Sequence, residues 1–327
     1  MNYTYRKANP EDVRPALDLA LCVFMEFEAP EYEPKAVDKF KTDIVYNEQF
    51  IKNWENGTNS MYVALHGDKI VGVIGEKWKN GHINIVFVDG EYHRKGIATE
   101  LMNFMICDLK LCGFDKITLF SSSYGMPFYL NYGFIATDTE QHSDGFIFIP
   151  MEYIPNEIWD VYDENRNLTG RFVERGRPKW KQGNYHLVVH VWKRNAKGEW
   201  LIDKRTPRKT DNLGGLWETT GGSAVAGNSS LDAALREVKE ELGLILSSES
   251  GSLFHSYVYK SLNGYMGFID VWVFDCDCSL EDIILQENET CDVMWANSDK
   301  IKEMLANGEF IGYDIYPYLD NLLENEI

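Results

Sequence analysis

No run in this 327-residue chain approaches the roughly 20 uninterrupted apolar residues that a membrane-spanning helix requires. The opening MNYTYRKANPEDVRP lacks the apolar core of a signal peptide, so neither a membrane nor export is expected. Cysteine is sparse: Cys22, Cys107, Cys112, Cys276, Cys278 and Cys291 show no CxxC and no Cys/His metal spacing. That excludes a disulfide scaffold and a zinc module, and makes a reducing cytoplasm the expected location. Positive charge is also short, with 32 Lys and Arg against 51 Asp and Glu and a net charge of -19. This balance argues against general nucleic-acid binding. Internal repeats and low-complexity segments are missing too.

What is present suits two α/β domains, each long enough to bury a core without staples. The pattern resets around Pro150 to Asn156, which places the domains at 1–154 and 155–327. The first half reads as a strand at Tyr3–Arg6, then a helix from Pro10 carrying Val13, Ala16, Leu17 and Ala20 at helical spacing. A loop-rich acidic segment, FMEFEAPEYEP, leads to a hairpin turned at HGDK. Next come a strand at His82–Val88, a helix from Gly96 to about Leu111, a strand at Lys116–Phe120, a short helix near Pro127 and a strand at Phe146–Met151. In the second half, the apolar run His186–Trp192 predicts a strand buried on both faces. Trp200–Lys204 pairs back on it, a long loop follows, and Ser229–Leu242 predicts the clearest helix of the chain.

Charge is divided unevenly in that half. Positions 166–209 hold 13 basic and 3 acidic residues, whereas 210–327 hold 5 basic and 22 acidic. A basic segment beside an acidic one suits an anionic substrate with a divalent cation between them. On the Ser229–Leu242 helix, Leu231, Ala234, Leu235, Val238 and Leu242 form the expected buried stripe, and Glu237, Glu240 and Glu241 a separate acidic face. Like charges at i,i+3 and i,i+4 cost a helix roughly 0.2–0.5 kcal/mol per pair. An oxygen-seeking Mg²⁺ would offset that repulsion; a solvated acidic face is the plain alternative.

The segment from Gly222 to Leu244 resembles the box of the Nudix family, G-x5-E-x7-R-E-U-x-E-E-x-G-U, with U apolar. Gly222, Arg236, Glu237, Val238, Glu240, Glu241, Gly243 and Leu244 all fall in register, and the first glutamate alone is replaced, by Asn228. The resemblance implies an α/β/α sandwich in which Glu237, Glu240 and Glu241 bind Mg²⁺ or Mn²⁺, with Glu237 and Glu240 also catalytic, for hydrolysis of an X-diphosphate. Arg236 would orient the glutamates, and Glu287 or Glu289 is a further carboxylate source. Lys204, Arg205, Arg208 and Lys209 are candidate phosphate contacts, Arg205 and Lys209 foremost. Flanking text (EIWDVYDENRNLTGR, YHLVVHVW, LWETTGGS) resembles hydrolases related to isopentenyl-diphosphate isomerase. The run after Trp217, ETTGGSAVAG, has neither cysteine nor histidine to serve isomerisation, so hydrolysis is expected.

In the first half, INIVFVDGEYHRKGIATELM is an apolar strand, a basic glycine-containing turn and a helix, and FYLNYGF follows downstream. A helix N-terminus with free N–H groups attracts phosphate. Together these resemble the GNAT N-acetyltransferases, over about Met1 to Tyr153. The likeness implies a mixed twisted sheet flanked by helices, with acetyl-CoA as co-substrate. By resemblance, Val86 and Val88 meet the pantetheine, and Arg94, Lys95, Gly96, Ile97, Ala98 and Thr99 cradle the pyrophosphate. His93 stands where the family carries Gln or Arg. Tyr129, four residues before Gly133, would protonate the leaving thiolate. Glu26, Glu28, Glu91 and His82 are candidate general bases, each with a structural role as the plain alternative.

The expectation is a bifunctional protein: an acetyl-CoA-dependent N-acetyltransferase of a small amine joined to a magnesium-dependent hydrolase of a diphosphate. Its partners would be small molecules, with no nucleic acid and no membrane. Two alternatives are a hydrolase as sole catalyst beside an acetyl-CoA-binding module, and an isomerase-like activity.

Overall fold

The computed structural model describes residues 2–77, 80–177, 183–207, 213–260 and 266–324. The chain divides into two compact units. One comprises Met1–Ile158 with Val173–Gly176, the other Trp159–Phe172 with Arg177–Ile327.

The first unit contains β1 (Thr4–Lys7), α1 (Pro10–Phe27), α2 (Pro34–Phe40), α3 (Glu48–Glu55), β2 (Met61–His66), β3 (Lys69–Glu76) and β4 (His82–Val88). It continues with α4 (Ile97–Leu111), β5 (Ile117–Ser121), α5 (Met126–Tyr132), β6 (Ile135–Ala136), β7 (Gln141–Ser143) and β8 (Phe146–Tyr153). The sheet runs β1-β2-β3-β4-β5-β8-β6, with β7 added on β8. Alternation along the strands sends side chains to two cores. Ala64, Val71 and Ile74 pack with Leu101, Met105 and Ile106 of α4. Val63, Val73, Ile85 and Phe87 pack with Val13, Leu17 and Phe24 of α1.

Two expectations for this unit need correction. Phe24–Phe27 lies in α1 rather than in a loop, because Phe24 extends the buried stripe of Val13, Ala16, Leu17 and Ala20 by one more turn. The stretch before the hairpin also holds α2 and α3, started by Pro34 at the first turn and by Asn47, whose side chain accepts the N–H groups of Gln49 and Phe50.

One register detail positions a site. β4 is antiparallel to β3 up to Val88, but its parallel pairing with β5 covers only His82 and Ile83. Beyond Ile83 the two strands part company, and the sheet opens on the side of Val86–Val88.

The second unit contains most of β9 (Ile158–Tyr162) and β10 (Leu168–Glu174), then β11 (His186–Arg194), β12 (Trp200–Arg205), β13 (Trp217–Glu218) and β14 (Thr220–Ser223). After these come α6 (Ser230–Leu242), β15 (Gly251–Lys260), β16 (Met266–Asp275), β17 (Thr290–Ala296), α7 (Ser298–Ala306) and α8 (Leu319–Glu324). The main path is β13-β12-β11-β16-β15, with β14 on β11 and β17 on β12. β11 and β16 pair in parallel, whereas the pairings of β11 with β12 and β14, of β12 with β13 and β17, and of β15 with β16 are antiparallel. As its apolar run predicts, β11 is buried on both faces. Val189 and Val191 meet Ala234, Val238 and Leu242 of α6, while Trp192 joins Ile301, Met304 and Leu319 of the C-terminal helices on the other side. The long loop expected after β12 carries the short strands β13 and β14, and β14 lies directly beneath α6.

Candidate active sites

In the first unit a cavity of about 540 Å³ fills the gap beside β4. Val86, Val88, Arg94, Gly96, Ile97, Ala98, Thr99 and Tyr129 all line it, together with Glu28, His93, Tyr124 and Phe128. The turn that delivers these residues has an unusual backbone. Arg94 has φ 59° and Gly96 φ 80°, both left-handed, just before α4. A non-glycine residue in that region costs on the order of 1–2 kcal/mol, and such outliers persist where the surroundings impose them. The preceding residue is tied down: Nε2 of His93 lies 2.7 Å from the carbonyl of Val88 and its ring packs on Phe27. No atom stands within 4 Å of where a Cβ on Gly96 would sit, so the approach to the start of α4 is open. Lys95 does not line the cavity; its Nζ donates to the carbonyl of Glu91 at 2.7 Å and lies over the Tyr92 ring.

Tyr129 packs edge-on against Phe128 and Phe134. Burial, with Glu28 and Tyr32 nearby, raises its hydroxyl above the usual range and keeps it protonated at neutral pH. Of the four candidate bases, Glu28 alone lines the cavity. Glu26 and Glu91 are exposed. His82 is buried beside Thr118, 2.9 Å from its hydroxyl, and burial pushes it down to about 4. The Glu28 carboxyl is pushed up to about 7, chiefly by burial. A hydrogen bond from Ser122 lowers it somewhat and the nearby Glu31 raises it.

In the second unit the site is built on α6. Ser229 and Asp232 form a reciprocal capping box at its start, and Gly243, with φ 69°, ends it. Ala234, Val238 and Leu242 are fully buried, and burying side chains of the size of valine or leucine contributes roughly 1.5–3 kcal/mol each. The acidic residues do not occupy a face of their own, as the sequence pattern predicts. Glu237 and Glu241, one turn apart, are only 8% and 7% exposed and belong to the buried side. The Glu240 side chain is 49% exposed. The reason lies in β14: a Cβ placed on Gly222 would stand 2.2 Å from Oε1 of Glu237, so the missing side chain is the seat of that carboxylate.

Arg236 offsets part of this charge. Its guanidinium donates to Glu237 at 2.6 Å, to Glu240 at 2.6 Å and to the carbonyl of Ser223 at 2.8 Å. Behind Glu241 lies Lys193, fully buried, with Nζ 3.5 Å from Asp203 and a hydrogen bond to Thr220. Burial lowers the Lys193 ammonium, and Asp203 and Glu241 hold it up. The segment carrying Glu287 and Glu289 docks at the end of α6, where Gln286 N–H donates to the Glu241 carbonyl at 3.0 Å. Asn228 is half-buried in the preceding turn. Arg205 is engaged by Glu218, with both carboxylate oxygens 2.8 Å from one guanidinium nitrogen. Lys204 lies over the Trp217 ring. Arg208 and Lys209 lie outside the described residues.

Among the described residues no three His, Cys, Asp or Glu side chains converge on one point. Magnesium does not require that, since it is ordinarily held by one or two carboxylates plus waters and substrate phosphates. The buried pair Glu237 and Glu241, the former seated against Gly222, supplies the hard oxygen donors that such a cation takes.

Two folds of known type thus share the chain. Positions 28–155 match the acetyltransferase (GNAT) domain family and positions 184–319 the NUDIX domain family. The chain belongs to the Nudix hydrolases and carries a GNAT acetyltransferase domain besides. It is 37% identical over 167 residues to an uncharacterised Nudix hydrolase of Listeria monocytogenes, covering 51% of this chain and 95% of that protein. An uncharacterised Nudix hydrolase of Listeria innocua is 39% identical over 158 residues, covering 48% and 89%. The solved structure of the PaiA N-acetyltransferase of Thermoplasma acidophilum, in complex with coenzyme A, is 19% identical with a TM-score of 0.41. That match covers 47% of this chain and 99% of that one. Among the described residues no helix is long and apolar enough to cross a membrane.

Proposed function

We propose that the protein is bifunctional, an acetyl-CoA-dependent N-acetyltransferase of a small amine joined to a divalent-metal-dependent hydrolase of an X-diphosphate. The proposed domains are 1–154 and 155–327, close to the division of the compact units at Ile158, with Val173–Gly176 in the first. The observation that carries the first activity is the cavity beside β4, where Val86, Val88, Arg94 and the start of α4 meet Tyr129. A long thioester laid along the parted edge of β4 would put its diphosphate at Arg94, Gly96, Ile97, Ala98 and Thr99. Tyr129, neutral at physiological pH, would give its proton to the departing thiolate.

For the second activity, Glu237 and Glu241 would hold Mg²⁺ or Mn²⁺, with Glu240 at the exposed rim as a further ligand or water-orienting group. Such an ion activates water and neutralises charge on a diphosphate. Arg236 would keep the carboxylates fixed, and a positive charge that already bonds Glu237 and Glu240 marks where a cation is tolerated. Phosphate contacts from the basic stretch, Lys209 among them, complete this reading. Arg205 is less available for that role, since it is engaged with Glu218. Hydrolysis is favoured over an isomerase-like reaction because Glu218–Gly227, after Trp217, holds neither cysteine nor histidine.

The deciding experiment is a screen of nucleoside and non-nucleoside diphosphates with Mg²⁺ or Mn²⁺ on the full chain, read as product formation. Alongside it, acetyl-CoA and a set of amines are followed by thiol release. The reading requires metal-dependent cleavage in the first and amine-dependent release in the second. Cleavage without release leaves the hydrolase as sole catalyst beside an acetyl-CoA-binding module.

A further inference from the structure

We propose that Glu28 both anchors the acetyl acceptor and takes its proton, and that the acceptor is therefore a protonated primary amine on an apolar or aromatic body. This rests on the transferase reading of the first unit. Three observations carry it. Glu28 is the one carboxylate among the described residues lining the cavity. It follows directly on α1 and shares the cavity with Tyr129, whose hydroxyl feels its charge. Val23, Phe27, Tyr124, Phe128 and Tyr129 give the same cavity an apolar and aromatic wall. An ammonium entering such a site gains an anion and aromatic faces together, whereas a second carboxylate or a phosphate would meet repulsion.

The groups facing Glu28 come from several elements. Ser122 follows β5 and Tyr129 belongs to α5, while Glu31 and Tyr32 follow on its own chain segment. Tyr92, His93, Arg94 and Tyr124 complete the titratable and charged lining. Burial places the Glu28 carboxyl at about 7, which suits a group that must be ionised to receive the amine and then accept a proton at physiological pH.

The proton balance closes. The ammonium gives one proton to Glu28, and the freed nitrogen lone pair attacks the thioester carbonyl. The C–N bond forms, the C–S bond breaks, and Tyr129 protonates the thiolate. The second proton shed by nitrogen restores Tyr129, and the proton on Glu28 leaves to water. One net proton is released per amide formed.

The test uses the full chain with acetyl-CoA and three probes, n-butylamine, phenethylamine and 1,4-diaminobutane, followed by thiol release from pH 5.5 to 9. Wild-type kcat/KM should rise about tenfold per pH unit and level off near pH 7. Glu28→Gln should lose about 100-fold or more at pH 7.5 while binding coenzyme A, by calorimetry, within threefold of wild type. Ser122→Ala removes a hydrogen bond that lowers Glu28, so the rising limb should move to higher pH. Glu31→Gln removes a charge that raises it, so the limb should move to lower pH. Glu28→Gln within threefold of an active wild type overturns the proposal. If that variant loses coenzyme A binding, the two limb shifts decide, and a limb unmoved by both overturns it equally. A wild type that binds coenzyme A yet acetylates none of the three amines overturns the transferase reading, and this one with it.

Discussion

The two units solve one electrostatic problem in opposite ways. Each takes carboxylates out of water on a helix or at its end. In the second unit the charges are met where they lie: Arg236 bonds Glu237 and Glu240, and Lys193 stands behind Glu241. In the first unit, among the described residues, the groups that act on Glu28 are Ser122, whose hydrogen bond relieves it, and Glu31, which does not, and its carboxyl is pushed up to about 7. The difference separates two uses of an acid. A carboxylate meant to bind a cation should stay ionised, and cationic neighbours keep it so. A carboxylate meant to exchange a proton near neutrality should be poised, and burial without a cation does that.

The largest expected effect breaks the second unit alone. Glu237→Gln keeps the volume and removes the charge that sits on Gly222. Diphosphate cleavage should fall about 1000-fold, close to 4 kcal/mol of barrier, with acetyl transfer unchanged within twofold. Product formation under saturating Mg²⁺ measures the first and thiol release the second. A fall below tenfold would remove Glu237 from the metal site.

Tyr129→Phe is the mirror experiment. The ring contacts with Phe128 and Phe134 survive, and only the hydroxyl is lost. General acid catalysis by a side chain is worth roughly 10²–10⁴-fold, so acetyl transfer should drop at least about 100-fold. Coenzyme A affinity and diphosphate cleavage should hold. Equal losses in both activities would mean that the two sites are not independent.

How much of this was legible beforehand follows the same division. Motif-bearing segments are local: a strand, a turn and a helix put Val86 through Thr99 on one cavity, and the spacing Gly222 to Leu244 places Glu237 over β14. Local order in the chain is enough to read them. Burial was not legible, because it depends on what packs above. Three glutamates at i, i+3 and i+4 look like one polar face, yet Glu237 and Glu241 turn inward to a strand that the sequence pattern shows as loop. Glu28 was indistinguishable from Glu26 and Glu91 for the same reason. The run FMEFEAP reads as an acidic loop, and only the continuation of α1 through Phe27 sets Glu28 at the cavity wall while Glu26 stays exposed. The buried trio Lys193, Thr220 and Asp203 left no local signature either, since its members are up to 27 residues apart on three strands.

A smaller effect tests the poise of Glu28 without any substrate. A carboxyl raised from 4.5 to about 7 in the folded chain is harmless below pH 4.5, where it is protonated in both states. Between about 4.5 and 7 the unfolded chain ionises this group while the folded chain keeps the proton, so stability falls with rising pH and levels off above about 7. The cost above pH 7 is roughly 3 kcal/mol. Glu28→Gln should therefore stabilise the first unit by about that much at pH 8 and by under about 1 kcal/mol at pH 5. Urea unfolding followed by hydrogen exchange of α1 and β4 amides reads it. A gain equal at the two pH values would assign the effect to packing rather than to charge.

The smallest effect returns to the departure in the Nudix box. Asn228 is half-buried in the turn before α6, and its N–H bonds the Val225 carbonyl at 3.0 Å. That bond is made by the main chain, so Asn228→Glu leaves it in place and adds one negative charge close to the helix start, where the dipole favours it. If the asparagine has weakened the metal site by withholding a charge, the glutamate should raise cleavage about three- to tenfold and lower the Mg²⁺ concentration giving half-maximal rate. If instead Arg236 already limits how much negative charge the site presents, Asn228→Glu should change neither. The double variant Asn228→Glu, Arg236→Gln would then show the gain that the single one lacks. A metal titration of the four proteins, run as one cycle, separates a site short of charge from a site guarded by its own arginine.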